Sequence, residues 1–270
     1  MHNMLIDKKI KTVLGTYKVS IRSGEKMIVF LSGAASFDTE QTFRLIINLL
    51  PENIGVFAID YINSGLSSTE VQPFDLVQEA TVIANLIKKQ QAKQIILVGH
   101  SLGGLYALHI VKQLDNVIGF IGIEPLNRES VLNPPHGPAY RKVEMEVAKL
   151  SEEGKIQLVK DRVYENFPKS LADEIWQTHI LDEAREDEVV EEKHRDNWIE
   201  TIKQYSEIML PKTLPSILIS QSFRANEYRR SEYYTDNSIV VSAGDFHQIH
   251  WEHPDIVARA IKTILGDEVL

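Results

Sequence analysis

Short apolar runs alternate with helical stretches along the first 120 residues of the chain. The apolar runs are rich in β-branched residues and lie at 27–31, 54–59, 94–98 and 117–123. The helical stretches between them lie at 39–50, 74–89 and 102–114. Strands that are apolar on both faces and alternate with helices are typical of a parallel sheet covered on both sides. The pattern therefore predicts an α/β fold: a mostly parallel twisted sheet with helices on both faces.

The pattern changes after Glu124. Residues 125–210 contain charged helical segments and no convincing strand, and their acidic run at 181–196 is typical of a solvated helix face. Strand patterns resume at 216–220 and 238–242, and an amphipathic helix follows Pro254. We therefore expect a core formed by residues 1–124 and 211–270, interrupted by an inserted all-helical domain over residues 125–210. At the start of the core, residues 11–22 predict two antiparallel strands around Gly15.

Composition narrows the class of protein. A chain of 270 residues suits one large α/β domain or a core with an insertion. The net charge of −9 argues against a nucleic-acid partner. The chain has no cysteine, which excludes disulfides, thiolate nucleophiles and cysteine-ligated metals. It shows neither a secretory signal nor an apolar run near the roughly 18 residues of a membrane span, so we expect no membrane partner and a cytoplasmic location.

A Gly-x-Ser-x-Gly pentapeptide at residues 99–103 joins an apolar strand to a helix. A sharp turn in that context strains the serine backbone and lifts the Ser101 hydroxyl above the carboxyl edge of the sheet. The N–H of Leu102 opens the helix and can stabilise an oxyanion there. We expect Ser101 to be a nucleophile; the alternative is a glycine-rich structural turn.

A serine nucleophile needs a general base, and the segment at 244–254 offers three histidines. His247 comes first after the last predicted strand and is the expected base. His250 follows as a pocket or supporting residue. His253 precedes a proline and is expected at the entry to the last helix.

Taken together, these features resemble the α/β-hydrolase superfamily, with the helical insertion in the position of that family's cap. The resemblance also covers Ser32-Gly33-Ala34, where the family has His-Gly-x, and it implies that the Ala34 N–H completes the oxyanion hole. The loop at 60–68 is similar to the family's Asp-x-x-Gly-x-Gly-x-Ser loop. In that loop Asp60 and Ser67 are expected to stabilise the turn rather than contact substrate.

A serine–histidine pair needs an acid as the third member of the triad, and the resemblance allows two positions for it. The resemblance places it most often after the strand that follows the cap, but no acid occurs near Phe223. Some members, including certain lipases, haloalkane dehalogenases and Renilla-type luciferases, carry it after the strand that follows the nucleophile helix. Here that position is Glu124, and a carboxylate ending an apolar strand is costly unless it is bonded. We expect Glu124 to orient His247, with Glu227 or Asp245 as alternatives.

The residues therefore predict a serine hydrolase that cleaves a small-molecule ester or thioester through an acyl-enzyme, without metal or cofactor. The same constellation supports non-hydrolytic or C–C bond chemistry, and a non-catalytic ligand receptor is a third possibility. Haloalkane dehalogenation is disfavoured because a serine occupies the elbow. In the helical insertion, the candidates for an inner face are Trp176, Trp198, Tyr205 and Met209, although aromatic residues at helical spacing are more typical of core packing than of a pocket lining. His136 is a candidate at the site entrance.

Overall fold

A computed structural model describes residues 4–34, 37–70, 74–132, 148–185, 198–205 and 207–266 of the chain. The strands are β1 (Ile6–Lys11), β2 (Thr16–Arg22), β3 (Lys26–Leu31), β4 (Gly55–Ile59), β5 (Gln94–His100), β6 (Val117–Ile123), β7 (Ser216–Ser220) and β8 (Ser238–Ser242). The helices are α1 (Thr39–Asn48), α2 (Leu76–Lys88), α3 (Leu102–Val111), α4 (Arg128–Leu132), α5 (Glu152–Asn166), α6 (Lys169–Glu183), α7 (Ala225–Tyr228), α8 (Ile249–Glu252) and α9 (Pro254–Leu265).

The eight strands form one sheet in the order β1-β2-β4-β3-β5-β6-β7-β8. β1 and β2 are antiparallel to their neighbours, and all other pairs are parallel. The predicted mostly parallel α/β sheet is confirmed. β1 begins at Ile6, earlier than expected, because this edge strand is mostly exposed and carries no apolar pattern. Gly15 lies in the β1–β2 turn with φ of +143°, a backbone angle that favours glycine.

Both faces of the sheet are covered by apolar packing. Alternate residues of each central strand point to opposite faces, so Ile28 and Val29 of β3 belong to two different core clusters. One cluster packs the sheet against α2 and α3, and the other packs it against α1 and α9. The central parallel strands are therefore buried on both sides, as their continuous apolar sequence predicts.

Helices α5 and α6 lie in the chain between β6 and β7, where the insertion was predicted. They share a third apolar cluster with the core: Val163 and Ile175 pack with Phe37 and Trp251. The division into core and inserted domain stays a prediction. Asp182 differs from the expected solvated acidic face, because it is buried and its carboxylate accepts a hydrogen bond from the Gly65 N–H at 2.7 Å. A local charge pattern does not show that a loop from the sheet covers this position.

A buried carboxylate, Glu79 of α2, joins several elements under the sheet edge. Its Oε1 accepts hydrogen bonds from the Tyr17 hydroxyl at 3.2 Å and the Ile62 N–H at 2.7 Å. Its Oε2 accepts from the hydroxyl of Tyr106 on α3. Burial raises the pKa of Glu79 to about 7, although the three donors oppose that shift. The helix that follows Ser101 is thus tied to a group that titrates near neutral pH.

Replacing this carboxylate by its amide tests the assignment. The raised pKa means that the folded state holds the Glu79 proton more tightly than the unfolded chain. The stability from this group is therefore complete below about pH 4 and is lost as the pH rises towards 7. Denaturant unfolding measures the free energy of unfolding of Glu79→Gln and of wild type. The value for Glu79→Gln minus the value for wild type should increase by roughly 2 to 3 kcal/mol from pH 5 to pH 8.

The matched control is Glu25→Gln, which changes a carboxylate whose side chain is 76% exposed. Its stability difference from wild type should stay constant over the same pH range. An equally flat difference for Glu79→Gln would contradict the raised pKa.

Candidate active site

The turn between β5 and α3 carries Ser101 in a strained backbone conformation. Its φ of 49° and ψ of −117° lie outside the regions that non-glycine residues favour. The flanking glycines make this turn possible. A Cβ on Gly103 would lie 2.1 Å from the Leu31 carbonyl oxygen, and one on Gly99 would lie 2.8 Å from the carbonyl carbon of Gly103. The geometry is that of a strand-to-helix elbow.

Backbone hydrogen bonds tie the elbow to the end of β6. The Ser101 N–H donates to the Ile123 carbonyl at 3.1 Å, and the Leu126 N–H donates to the Ser101 carbonyl at 2.7 Å. Glu124 lies between these two partners, and its own backbone has φ of 40°. The predicted nucleophile and the predicted acid therefore both have unusual backbone conformations, and these hydrogen bonds hold the two residues close together. Such strain is concentrated at functional sites.

The Glu124 carboxylate lies directly behind His247. Its Oε2 is 2.8 Å from the His247 Nδ1, and its Oε1 accepts a hydrogen bond from the Gln221 N–H at 2.9 Å. Burial alone would raise the pKa of Glu124. The hydrogen bond with His247, the nearby Arg224 charge and the Gln221 N–H outweigh burial and bring that pKa below its usual value. The Nδ1 contact leaves the His247 Nε2 as the ring atom that can serve a substrate.

Of the other two acids considered, neither takes this position. Glu227 is paired with Arg224, and its Oε1 accepts a hydrogen bond from the Asn127 side chain. Asp245 is exposed, and its N–H donates to Glu252 at 3.1 Å. Among the described residues, no hydrogen bond joins the Ser101 hydroxyl to His247. Such bonds are often long until substrate is present.

Two neutral imidazoles support the His247 loop from behind. The His100 Nε2 donates to the His247 carbonyl at 3.2 Å, and the His100 ring lies 4.5 Å from the His250 ring. Burial, reinforced by the neighbouring histidines, holds the pKa of His100 well below its usual value and lowers that of His250 to about 3. His250 also stacks on Phe43 at 4.6 Å. Both rings therefore stay uncharged at neutral pH. His253 lies at the entry to α9, as expected, but its side chain makes no capping hydrogen bond.

The loop after β3 runs beside Ser101. A Cβ on Gly33 would lie 3.1 Å from the Ser101 Cβ and 2.8 Å from the His100 Nδ1, so only glycine fits there. Ala34 follows in this loop and is exposed, while Leu102 is the first residue of α3. The Ser32 hydroxyl accepts a hydrogen bond from the Thr39 hydroxyl at 3.0 Å. This bond holds the segment where the family pattern has a histidine.

Asp60 and Ser67 form hydrogen bonds within their loop and with neighbouring elements, as the turn-stabilising interpretation expects. The Asp60 carboxylate accepts from the Thr39 N–H at 2.7 Å and the Leu66 N–H at 2.8 Å. Ser67 donates its hydroxyl to the Asp60 carbonyl at 2.7 Å and accepts from the Lys18 N–H at 2.9 Å. These contacts fasten the start of α1 and the loop after β4 together.

A pocket lies between the loop after β3, the start of α1 and the loop around His247. Its lining is largely aromatic and uncharged: Ser32, Gly33, Phe37, Thr42, His100, Gln248, His250 and Trp251. No group of three or more potential metal ligands occurs in the described ranges, and no helix there has the length and apolarity to cross a membrane. Ser101 and His247 are not among the lining residues, although Gly33 and His100 of the lining are next to Ser101 in space or along the chain.

The aromatic candidates in the insertion have different surroundings. Trp176 lies 4.9 Å from the His179 ring, and Trp198 packs against the main core cluster. Tyr205 meets His109 edge-on at 5.2 Å, and Met209 is 43% exposed. His136 lies outside the described residues. Sequence reasoning missed Arg224, although it follows directly the position where an acid was sought, because only the folded chain brings it to Glu124.

Comparison with known proteins agrees with the fold. The family described as the alpha/beta hydrolase family matches residues 28–260, so the predicted resemblance is confirmed. No curated protein matches the chain.

Three solved structures share the architecture. Smu.1393c from Streptococcus mutans is 24% identical with a TM-score of 0.84, covering 98% of this chain and 99% of that one. An esterase from Exiguobacterium antarcticum is 15% identical with a TM-score of 0.67, covering 97% and 100%. A proline iminopeptidase-related protein from Thermus thermophilus is 14% identical with a TM-score of 0.66, covering 98% of each chain. Identities this low show the fold alone.

The close approach at Gly103 generates a test of the elbow. Gly103→Ala should lower the free energy of unfolding by at least about 2 kcal/mol, because the added methyl meets the Leu31 backbone rather than a side chain that can move. Denaturant titration measures this loss. Gly154→Ala, in the first turn of α5, is the matched control.

In the control, the nearest atom to a new Cβ is 3.3 Å away, on Leu150. Alanine is the better helix former by about 1 kcal/mol, so Gly154→Ala should leave stability unchanged or raise it. Equal effects of the two substitutions would be inconsistent with the tight elbow packing.

Proposed function

We propose that this chain, which belongs to the alpha/beta hydrolase family, is a serine hydrolase that cleaves a small-molecule ester or thioester. One observation carries the proposal: Ser101, on its strained turn, and a His247–Glu124 contact of 2.8 Å lie at the same edge of the sheet. A buried carboxylate behind an imidazole is the arrangement that activates a serine hydroxyl.

In the proposed reaction, the His247 Nε2 takes the Ser101 proton as the Ser101 Oγ attacks the acyl carbon. Glu124 stabilises the imidazolium through Nδ1 and keeps the tautomer that exposes a basic Nε2. The N–H groups of Leu102 and Ala34 stabilise the oxyanion, aided by the N-terminus of α3. His247 then protonates the departing alcohol or thiol. A water molecule, deprotonated by the same imidazole, releases the acid and restores Ser101.

Several features support a small, uncharged acyl substrate. A pocket lined by aromatic rings and by the neutral imidazoles of His100 and His250 includes Gly33, where an added Cβ would lie 3.1 Å from the Ser101 Cβ. The serine at the elbow is suited to an acyl-enzyme, and the esterase from Exiguobacterium antarcticum shares the architecture. Residues 125–210 would act as the cap, since α5 and α6 pack on Phe37 and Trp251 at the pocket wall. The reaction needs neither metal nor cofactor.

A fluorophosphonate probe tests whether Ser101 is activated. Wild-type protein should be labelled stoichiometrically on Ser101, and Ser101→Ala should lose all labelling, as read by intact-mass and peptide mass spectrometry. The matched control is Ser242→Ala, which removes an exposed serine at the end of β8. It should label at the wild-type rate.

Absence of labelling in folded wild-type protein would reject the hydrolase proposal. The remaining interpretation would be a ligand receptor of the same fold, because fold alone does not imply chemistry. Labelling without turnover of esters or thioesters would instead point to C–C bond or non-hydrolytic chemistry at the same serine.

Amide substitutions assign the acid. Glu124→Gln should lower kcat for a short-chain aryl ester by about 10³- to 10⁴-fold, since it removes the charge that stabilises the imidazolium. Asp245→Asn, on an exposed residue away from His247, should stay near wild type. Glu227→Gln should lose far less activity than Glu124→Gln because its carboxylate contacts Arg224 and Asn127. Near-wild-type rates for all three variants would show that the acid lies elsewhere.

A further inference from the structure

Arg224 lies in the loop after β7 and contacts the Glu124 carboxylate, which also contacts the predicted base His247. Its Nη1 is 3.1 Å from the Glu124 Oε2, and its side chain is 11% exposed. Its other two nitrogens hydrogen-bond to the Glu227 carboxylate: Nε donates to Oε2 at 3.1 Å and Nη2 donates to Oε1 at 2.6 Å. The guanidinium also lies over the Tyr228 ring, 5.0 Å from its centroid. A single arginine thus links two buried carboxylates.

One oxygen of Glu124 has two cationic partners when His247 is protonated. The Oε2 is 2.8 Å from the His247 Nδ1 and 3.1 Å from the Arg224 Nη1. The other oxygen accepts a neutral N–H from Gln221. Because the Arg224 charge is permanent, it offsets part of the negative potential that Glu124 presents to the imidazolium. The triad acid is therefore weaker as a counterion than an isolated carboxylate in the same position.

Glu227 in turn partly neutralises Arg224. Its carboxylate is paired with both ends of the guanidinium and is held by the Asn127 side chain. The charges run negative, positive, negative from Glu124 through Arg224 to Glu227. Coulomb's law therefore determines whether removing the Arg224 charge or the Glu227 charge raises or lowers the titration midpoint of His247.

The other charged or titratable groups around this cluster are few among the described residues. Glu232 lies near Glu227, and its carboxylate accepts a hydrogen bond from the Arg128 N–H at 2.9 Å. Tyr228 faces the guanidinium, and burial holds the pKa of its hydroxyl well above the usual value, so it stays neutral. On the opposite side, His247 faces His100, with ring centroids 4.8 Å apart. His250 also interacts electrostatically with His247, and burial keeps both His100 and His250 neutral.

We propose that Arg224 is a positioning residue that holds Glu124 towards His247 while weakening its hold on the protonated imidazole, so that His247 acts as a base in more acidic solution. Glu227 limits this effect by sharing the Arg224 charge. The proposal rests on the proposed function for its catalytic consequence. Its electrostatic content can be measured without any substrate.

The test measures the imidazole titration of His247 by nuclear magnetic resonance in wild type and in variants of Arg224 and Glu227. The His247 signal is assigned by its loss in His247→Asn. In Arg224→Gln the titration midpoint should rise by about 0.5 to 1 pH unit, because Glu124 then faces the imidazolium alone. In Glu227→Gln it should fall by a smaller amount, because the Arg224 charge is no longer shared and Glu227 itself contacts Arg224 rather than His247. Arg224→Lys keeps the charge and should stay close to wild type.

The matched control is Arg230→Gln. It removes the same charge six residues further on, where Arg230 pairs with Glu129 and both side chains are largely exposed. Its His247 midpoint should not move. If Arg224→Gln fails to fold because Glu227 is left unpaired, the double variant Arg224→Gln/Glu227→Gln removes both charges and should still raise the midpoint.

The opposite signs separate electrostatic control from a structural role. A cross-link that merely held the loop in place would be lost in both single variants, and both midpoints would move the same way or not at all. Either result would overturn the proposal. In active protein, the acid limb of the kcat/KM profile for an aryl ester should shift with the imidazole. Opposite NMR shifts without any hydrolysis would leave this inference standing and reject the proposed function instead.

Discussion

The pair of backbone hydrogen bonds between Ser101 and the end of β6 is the constraint on which the rest of the site depends. The Ser101 N–H and carbonyl bond to Ile123 and Leu126, on either side of Glu124. One contact region therefore supports the strained turn and aims the carboxylate. Neither conformation is favourable alone, since a non-glycine residue at positive φ costs on the order of 1 to 3 kcal/mol. The parallel pairing of β5 with β6 supplies the rigid frame that maintains both.

Burial then decides which groups around His247 carry charge. His100 and His250 are packed between rings and remain neutral, so they support the loop without repelling a proton on His247. Glu124 is just as buried but keeps its charge because His247, Arg224 and the Gln221 N–H compensate for lost water. An imidazole and a carboxylate respond to the same environment in different ways because their charged forms find different numbers of partners.

Much of the fold could be predicted from local patterns. The central strands are apolar on both faces and were located to within a residue or two at β3 to β8. β1 begins earlier than the pattern at 11–22 predicts, because an exposed edge strand needs no apolar alternation. The buried Asp182 was missed in an acidic run, since its burial comes from a loop more than a hundred residues away in sequence. The local sequence pattern indicates which residues are able to be buried. Long-range contacts determine which of them are buried in the folded chain.

By itself, the chain determined the strand–helix order, the elbow at Ser101 and the placement of candidate histidines after the last strand. These follow from spacing, because glycines, strand runs and helix starts act over a few residues. Only the tertiary structure decided that the Glu124 carboxylate meets His247, that Glu227 meets Arg224 instead, and that one arginine links the two acids. Those choices depend on which strand ends lie side by side in the sheet. Residues 124, 224 and 247 are far apart along the chain and come together only at the carboxyl edge of the sheet.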